Sequence, residues 1–142
     1  MIIRKAVAQD ADDILAWRND PATRAMSRTR QAIDPTAHAA WFGKVIDDAR
    51  RTLLIGEQDG RKIGMVRLDH AATTEVSINL NPAFRGQGLA YPLLSLALEH
   101  ADGMLEAEVH EENLASLKLF ERAGFRQTHS QDGWRRYIRP AS

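Results

Sequence analysis

Apolar residues along this chain alternate with polar ones in some stretches and recur three or four positions apart in others. Strict alternation is typical of a β-strand, whereas the second spacing is typical of a helix with one buried face. The alternating stretches predict seven strands, at residues 3–7, 52–57, 63–68, 75–80, 104–109, 125–128 and 134–138. Asp59-Gly60 and Asp132-Gly133 indicate hairpin turns between two pairs of these strands.

Helical spacing predicts four helices, at residues 10–17, 34–50, 89–101 and 113–124. Three of them begin at a side chain that can accept a hydrogen bond from the first helical turn, namely Asp10, Asp34 and Asn113. The arginine-rich stretch 23–33 follows neither pattern. We expect a surface segment or a short helix there, in the kind of region where substrate specificity often resides.

The order of these elements predicts a single α/β (α+β) domain over residues 1–142 with a mostly antiparallel sheet. A chain of 142 residues, 44% of them hydrophobic, can bury one core without disulfides or a structural metal. Cysteine is absent, which excludes thiolate metal sites, a cysteine nucleophile and a disulfide framework.

Charge and hydropathy narrow the classes of partner. The 19 basic and 19 acidic residues cancel, which argues against nucleic acid as a partner. No apolar run approaches the roughly 18 residues that span a bilayer, and the N-terminus lacks a signal-peptide pattern, so we expect a soluble, cytoplasmic protein without membrane contact. Four histidines are scattered without metal-ligand spacing, and no metal is expected: His70, His100, His110 and His129.

The segment 81–90 leaves an apolar strand and opens directly into a helix. Amides at a fresh helix N-terminus lack intrahelical partners, and Gly86 and Gly88 let the backbone approach a ligand closely. An anion, most simply a phosphate, suits this loop. A dinucleotide site fits less well, because Tyr91 stands where the third glycine of that fingerprint would be.

The sequence Arg85-Gly86-Gln87-Gly88-Leu89-Ala90 resembles the acyl-CoA loop of the GNAT N-acetyltransferases: Gln or Arg, two free positions, Gly, one free position, then Gly or Ala. The stretch 113–125 is similar to the second CoA segment of that family, so the resemblance covers essentially the whole chain. It implies acetyl-CoA as the cofactor. It also implies a six- to seven-stranded sheet flanked by about four helices, with a splayed central pair of strands.

By this resemblance, loop amides would bind the CoA pyrophosphate, the strand at 78–80 would pair with the pantetheine arm, and the last helix would contact that arm. The implied cofactor-binding residues are Ile78, Asn79, Leu80, Arg85, Gly86, Gln87, Gly88, Leu89, Ala90, Asn113, Ser116 and Phe120. A simpler interpretation of Asn113 is a helix N-cap, and both roles are compatible.

Acetyl transfer to an amine needs a neutral nitrogen, so the base matters more than the acid. Glu75 stands at a place similar to the family's usual glutamate base, although it could equally be an exposed strand-edge residue. The amide of Leu80 is a candidate for stabilising the oxyanion. Phe120 occupies the position that commonly carries a tyrosine acid, which leaves Tyr91, Tyr137 or solvent as the acid, or binding without efficient turnover.

The stretch 15–24, together with Ser27 and the stretch 38–42, resembles the PseH-like branch, which acetylates nucleotide-linked amino sugars. Parts of this signature are also similar to RimJ/RimL-like protein N-terminal acetyltransferases and to polyamine acetyltransferases. The implied partner is a small-molecule amine such as a UDP-amino sugar, bound by a monomer or homodimer. Candidate substrate-binding residues are Trp17, Arg18, Asn19, Arg24, His38 and Trp41. Trp41 and His38 also fit the apolar stripe of a helix, and a non-catalytic acyl-CoA-binding module is the alternative from another class.

Overall fold

The computed structural model describes residues 1–141 and contains one sheet with helices on both faces. The strands are β1 (Ile2–Lys5), β2 (Arg51–Gln58), β3 (Arg61–Asp69), β4 (Thr74–Leu80), β5 (Leu105–His110), β6 (Arg126–Gln131) and β7 (Trp134–Arg139). The helices are α1 (Ala11–Asn19), α2 (Pro21–Ala25), α3 (Pro35–Val45), α4 (Ala90–Leu98) and α5 (Leu114–Arg122).

The strands lie in the order β1-β2-β3-β4-β5-β7-β6, and every neighbouring pair is antiparallel except β4 and β5. The parallel pair is matched at only two positions, Thr74 with Leu105 and Glu75 with Glu106. Beyond Glu75 the two strands part. The predicted fold class, including the splayed central pair, is therefore confirmed.

Each face of the sheet carries its own apolar core, because successive strand residues point to opposite faces. On one face, α4 and α5 pack on Val76, Ala107 and Val109. On the other, α1 and α3 pack on Ile55 and Met65. Within residues 1–141, no helix has the length and apolarity that a membrane span requires.

A short helix was one of the two predictions for stretch 23–33 and agrees with the structure, whereas two helix ends and one helix cap differ from the prediction. Stretch 23–33 overlaps a short helix, α2, which Asp20 caps by accepting a hydrogen bond from Thr23 N–H at 3.1 Å. The helices predicted to end at 50 and 101 end at Val45 and Leu98. Asp10 does not cap α1, because its carboxylate is engaged elsewhere.

Asp10 lies at the centre of a charged cluster that ties the start of the chain to β3. Its side chain is 1% exposed and accepts hydrogen bonds from Arg4 at 2.7 and 2.9 Å and from Val7 N–H at 2.8 Å. Lys62 Nζ lies 2.8 Å from Asp10 Oδ1. Burial alone would raise the pKa of Asp10, but the hydrogen bonds from Arg4, Lys62 and Val7 outweigh it and hold the pKa well below its ordinary value.

Replacing Asp10 with Asn should lower the free energy of unfolding by about 2 to 3 kcal/mol. The change strands two cations, and their partial solvent access reduces the full cost of breaking a buried pair. Urea unfolding at pH 7 measures this loss. Because the pKa of Asp10 is depressed on folding, its contribution is present above about pH 4 and fades as pH falls below that, so the difference from wild type should shrink in acid.

Asp13→Asn is the matched control, since Asp13 is 53% exposed and contacts only Lys62 of this cluster. A change of less than about 0.5 kcal/mol is expected there. Equal losses in the two variants would contradict the structural role assigned to Asp10.

Candidate active site

The parting of β4 and β5 opens a cavity of about 950 Å³ at the centre of the sheet. Its walls include both splayed strands, the loop before α4, one side of α5 and the segment 26–33. Beyond Glu75, the edge of β4 that faces β5 has no strand partner. An extended ligand can pair with this edge as an additional strand.

The loop before α4 presents a row of free amides to the cavity. Asn81 caps a short turn at Pro82–Phe84, and Gly86 and Gly88 then take positive φ values of 73° and 72°. Among residues 1–141, the backbone N–H groups of residues 86–91 find no hydrogen-bond partner. A Cβ at either glycine would meet nothing within 4 Å, so the cradle is open for an anion.

Basic side chains surround this cradle. Lys118 and Arg122 line the cavity from α5, and the Arg122 guanidinium lies 3.8 Å from the centre of the Tyr91 ring. Arg85 turns away from the cradle to an ion pair with Asp20 and a 3.0 Å hydrogen bond to Thr23 Oγ1. The donors present therefore fit the pyrophosphate and phosphate groups of coenzyme A.

Asn113 is the N-cap of α5, as predicted, and its Oδ1 accepts a hydrogen bond from Ser116 N–H at 3.2 Å. Both residues line the cavity. So does Phe120, which is 3% exposed and packs edge-on against Phe125 with ring centres 5.0 Å apart. Its ring offers no proton donor.

The two tyrosines considered as substitutes for that donor occupy different places. Tyr137 is fully buried and its hydroxyl donates to Glu121 Oε1 at 3.3 Å, away from the cavity. Tyr91 lines the cavity at the start of α4. The structure thus removes Tyr137 from the candidate acids.

The α1/α3 face of the sheet carries a dense charged surface where it meets the cavity. Period-two alternation places these side chains on it: Arg67 and Asp69 of β3, Glu75 of β4, Glu106 and Glu108 of β5, and Arg136 of β7. Arg136 Nη2 lies 3.2 Å from Glu106 and 4.0 Å from Glu75. Glu75 lines the cavity, whereas Glu106 does not.

Burial raises the pKa of Glu75 above its ordinary value. Arg136 opposes the rise, and the negative charges of Glu106, Asp69 and Glu108 add to it. A carboxylate that is partly desolvated, crowded by like charge and open to a cavity is suited to accept a proton. Glu75 has the environment of a general base.

Arg18 and Arg67 reach the same part of the cavity. One Nη of Arg18 donates to His38 Nδ1 at 3.1 Å, and the guanidinium lies 4.3 Å from the Trp41 ring centre. Desolvation and then the charge of Arg67 lower the pKa of Arg18. Within residues 1–141, no carboxylate lies within 4.0 Å of Arg18.

Arg67 is also incompletely neutralised. Its Nε lies 3.1 Å from Asp69 Oδ2, yet this contact lacks hydrogen-bond geometry, and Arg67 Nε and Asp69 Oδ1 remain buried without hydrogen-bond partners among residues 1–141. Its Nη groups find no protein acceptor in the described chain either. Two neighbouring guanidinium groups with spare donors form a site suited to an anion.

Five of the six candidate substrate-binding residues lie behind the cavity wall rather than in it. Trp17 is 5% exposed in the core under α1 and α3, and Trp41 packs on the edge of that core. The Asn19 side chain makes two hydrogen bonds with the backbone of Ile33. Its Oδ1 accepts from the Ile33 N–H at 2.6 Å, and its Nδ2 donates to the Ile33 carbonyl at 3.0 Å. Arg24 donates to the carbonyl of Asn19.

His38 is the fifth, and it supports Arg18. It is 2% exposed, and its Nε2–H donates to the carbonyl of Ala11 at 2.7 Å, which leaves Nδ1 to accept from Arg18. Desolvation first, and the charge of Arg18 after it, lower the pKa of His38 and keep the ring neutral. Only Arg18 of the six lines the cavity. Gln87 of the loop also turns away, donating to the carbonyl of Ala83 at 3.3 Å.

Segment 26–33 is fastened across the cavity by Arg28. Its guanidinium makes two 2.7 Å hydrogen bonds to Glu108 and lies 4.3 Å from the Trp134 ring centre. These contacts were not predicted. Alternation along β5 and β7 could have grouped Glu108, His110 and Trp134 on one face, but nothing local in the sequence joins them to Arg28.

Comparison with known proteins identifies the family of the chain. Residues 1–126 match the family model described as an acetyltransferase (GNAT) domain. The chain is 29% identical over 138 residues to YwnH of Bacillus subtilis (strain 168), provisionally named a phosphinothricin acetyltransferase, covering 88% of this chain and 83% of that protein.

Solved structures share the fold over nearly their whole length. A spermidine N-acetyltransferase from Vibrio cholerae in complex with CoA and spermine has a TM-score of 0.86 at 18% identity, covering 99% of this chain and 95% of that one. The yncA protein of Salmonella typhimurium with acetyl-CoA has a TM-score of 0.83 at 22% identity, covering 100% and 94%. With a family model spanning most of its length, a splayed sheet and an amide cradle, this chain belongs to the GNAT acetyltransferases and uses acetyl-CoA to acetylate an amine.

Proposed function

We propose that the protein acetylates the primary amine of a small acceptor that also carries an anionic group. The observation that supports this most directly is the Arg18 and Arg67 pair, two adjacent guanidinium groups with spare donors on the same cavity wall as Glu75. Acetyl-CoA supplies the activated acetyl group. The protein supplies position, a base and charge complementarity.

In this proposal, the free amides of residues 86–91 hold the pyrophosphate, and the unpaired edge of β4 at Ile78, Asn79 and Leu80 holds the pantetheine arm. Each of those strand residues lines the cavity. The Leu80 amide remains our candidate for stabilising the oxyanion. As the N–C bond forms and the C–S bond breaks, the electron pair of the C–S bond stays on sulfur, and the surplus amine proton passes to a base.

Glu75 is the proposed base, directly or through a water molecule. Its position on β4 is diagonal to Arg67 on β3, because Arg67 pairs with Ser77 and Glu75 is two residues away. Diagonal neighbours on adjacent strands lie about 7 to 8 Å apart. In an acceptor whose amine meets Glu75 and whose anion meets Arg67, these two groups therefore lie close together.

This charge arrangement discriminates among acceptor classes. Phosphinothricin is an α-amino acid with a carboxylate and a phosphinate, and a nucleotide-linked amino sugar carries a diphosphate, so both offer an anion beside an amine. Spermidine carries only positive charge, which Arg18 and Arg67 would repel. We keep the UDP-amino sugar as one acceptor class within the proposal, with anionic amino acids as the other.

A panel of amines assayed with acetyl-CoA and a thiol reagent tests the acceptor. Turnover is expected with phosphinothricin-like amino acids or with UDP-amino sugars, and at least about tenfold less with spermidine or with a neutral amide of the same amino acid. Equal turnover of neutral and anionic amines would contradict the proposal. Acetylation of peptide N-termini alone would favour a RimJ/RimL-like role, and CoA binding without any turnover a non-catalytic module.

Replacing Arg18 with Met should raise the KM for the anionic acceptor by about 10- to 100-fold, the effect typical of losing a charge-assisted hydrogen bond. The KM for acetyl-CoA should stay within about twofold. Steady-state kinetics with each substrate varied measure both. Arg30→Met is the matched control, because Arg30 is exposed and outside the cavity. An Arg18→Met enzyme with an unchanged acceptor KM would exclude this anion site.

Glu75→Gln should lower kcat by about 10²- to 10⁴-fold and abolish the acidic limb of the pH–rate profile, since a base must be deprotonated to act. Because burial raises the pKa of Glu75, the wild-type limb should lie above the pH at which an ordinary glutamate titrates. Undiminished turnover of Glu75→Gln across the pH range would remove the assignment.

The neighbouring Glu106 provides the control for that experiment. Its charge raises the pKa of Glu75, and it holds Arg136 at 3.2 Å. Glu106→Gln should therefore keep turnover at high pH but move the acidic limb to lower pH, the opposite of a general loss of activity. A limb that moves upward would show that a different group titrates.

A further inference from the structure

We propose that His110 is a catalytic residue whose Nε2–H donates a hydrogen bond to the sulfur of coenzyme A as the C–S bond breaks. The inference deepens the acetyl transfer described above and rests on it. In the sequence, His110 is only one of four scattered histidines. The proposal gives it the role of the hydrogen-bond donor that Phe120 cannot supply.

His110 is the last residue of β5 and lines the cavity. Extending the Glu75 and Glu106 pairing along both strands by four residues brings His110 level with Asn79. At that level the two strands are no longer hydrogen-bonded to each other, so His110 lies beside the gap between them. This is the gap in which the pantetheine arm is expected to lie.

The ring is held in one orientation. It is 8% exposed and meets Trp134 edge-on, with ring centres 5.0 Å apart at 83°. Its backbone carbonyl accepts from Asn113 N–H at 2.9 Å. A side chain held in one orientation loses little conformational entropy when it contacts a ligand.

The tautomer is fixed as well. The backbone N–H of Glu112 donates to His110 Nδ1 at 3.1 Å, and since that nitrogen must accept, the neutral ring carries its proton on Nε2. Among residues 1–141, Nε2 has no hydrogen-bond partner, and it is not fully buried. A donor is therefore directed to the open side of the ring.

A neutral imidazole with this tautomer donates a hydrogen bond but does not give up its proton, a role known for histidine as an electrophile. The surplus proton of the amine nitrogen ends on Glu75 or on the sulfur, and His110 keeps its own. The effect is to stabilise developing negative charge on sulfur. Glu75 and His110 therefore act at opposite ends of the transfer.

The first test uses bound coenzyme A without any acceptor. Thiolate absorbance in the ultraviolet reports ionisation of the CoA thiol, which should occur about one pH unit higher in His110→Phe than in wild type, a tenfold change in the ionisation constant. His110→Gln, which keeps an N–H donor, should lie between them. Identical titrations of wild type and His110→Phe, both with CoA bound, would overturn the proposal.

The second test is a double-mutant cycle with Phe120→Tyr, using an amine found active in the panel. His110→Phe should lower kcat by about 10- to 100-fold with little change in the KM for acetyl-CoA. Phe120→Tyr should restore about tenfold in the His110→Phe background and add less than about threefold to wild type. Equal factors in both backgrounds would mean that the two positions act independently, and would contradict the proposal.

His100→Phe is the control, because His100 is exposed two residues after α4 and outside the cavity. If circular dichroism shows His110→Phe to be unfolded, His110→Ala replaces it as the donor-free variant. Failure of every amine in the panel would count against the proposed function, whereas the thiol titration would still decide on His110.

Discussion

The loss of pairing between β4 and β5 after Glu75 is the constraint on which the site depends. Two strands that diverge from a common start leave backbone groups unpaired on both inner edges, and buried unpaired groups are costly unless a ligand or water satisfies them. The sheet tolerates the gap because five other strand pairs hold it together and a separate core covers each face. The opening is thus a property of the whole sheet rather than of a loop.

Around the gap, the two faces of the sheet have different tasks. The α4/α5 face is apolar and carries the amide cradle at its edge, which suits a long cofactor with a phosphate end. The α1/α3 face is charged beside the gap, where it carries Arg67 of β3, Glu75 of β4 and Glu108 of β5. Period-two alternation alone separates these environments, and the two faces share an opening only where the strands part.

Much of this could be predicted from the sequence because its signals are local. The strands, the hairpin at Asp59-Gly60 and the cap at Asn113 follow from patterns within a few residues, and the glycine loop carries its own chemistry. Asp10 was assigned to a cap because no local pattern reveals Arg4 and Lys62 converging on it. Trp17 and Arg18 are sequence neighbours, yet a helix directs one into the core and the other to the cavity, and only the packed structure shows which.

Arg85 lies in the loop before α4, but it forms an ion pair with Asp20, the N-cap of α2, and a hydrogen bond with Thr23 of α2, which lines the cavity. Changes in α2 are therefore constrained by the need to keep the cradle in shape. Segment 26–33 has no such bond to the loop, being fastened instead to Glu108 on β5. Substitutions in that segment would accordingly disturb the loop before α4 less than substitutions in α2.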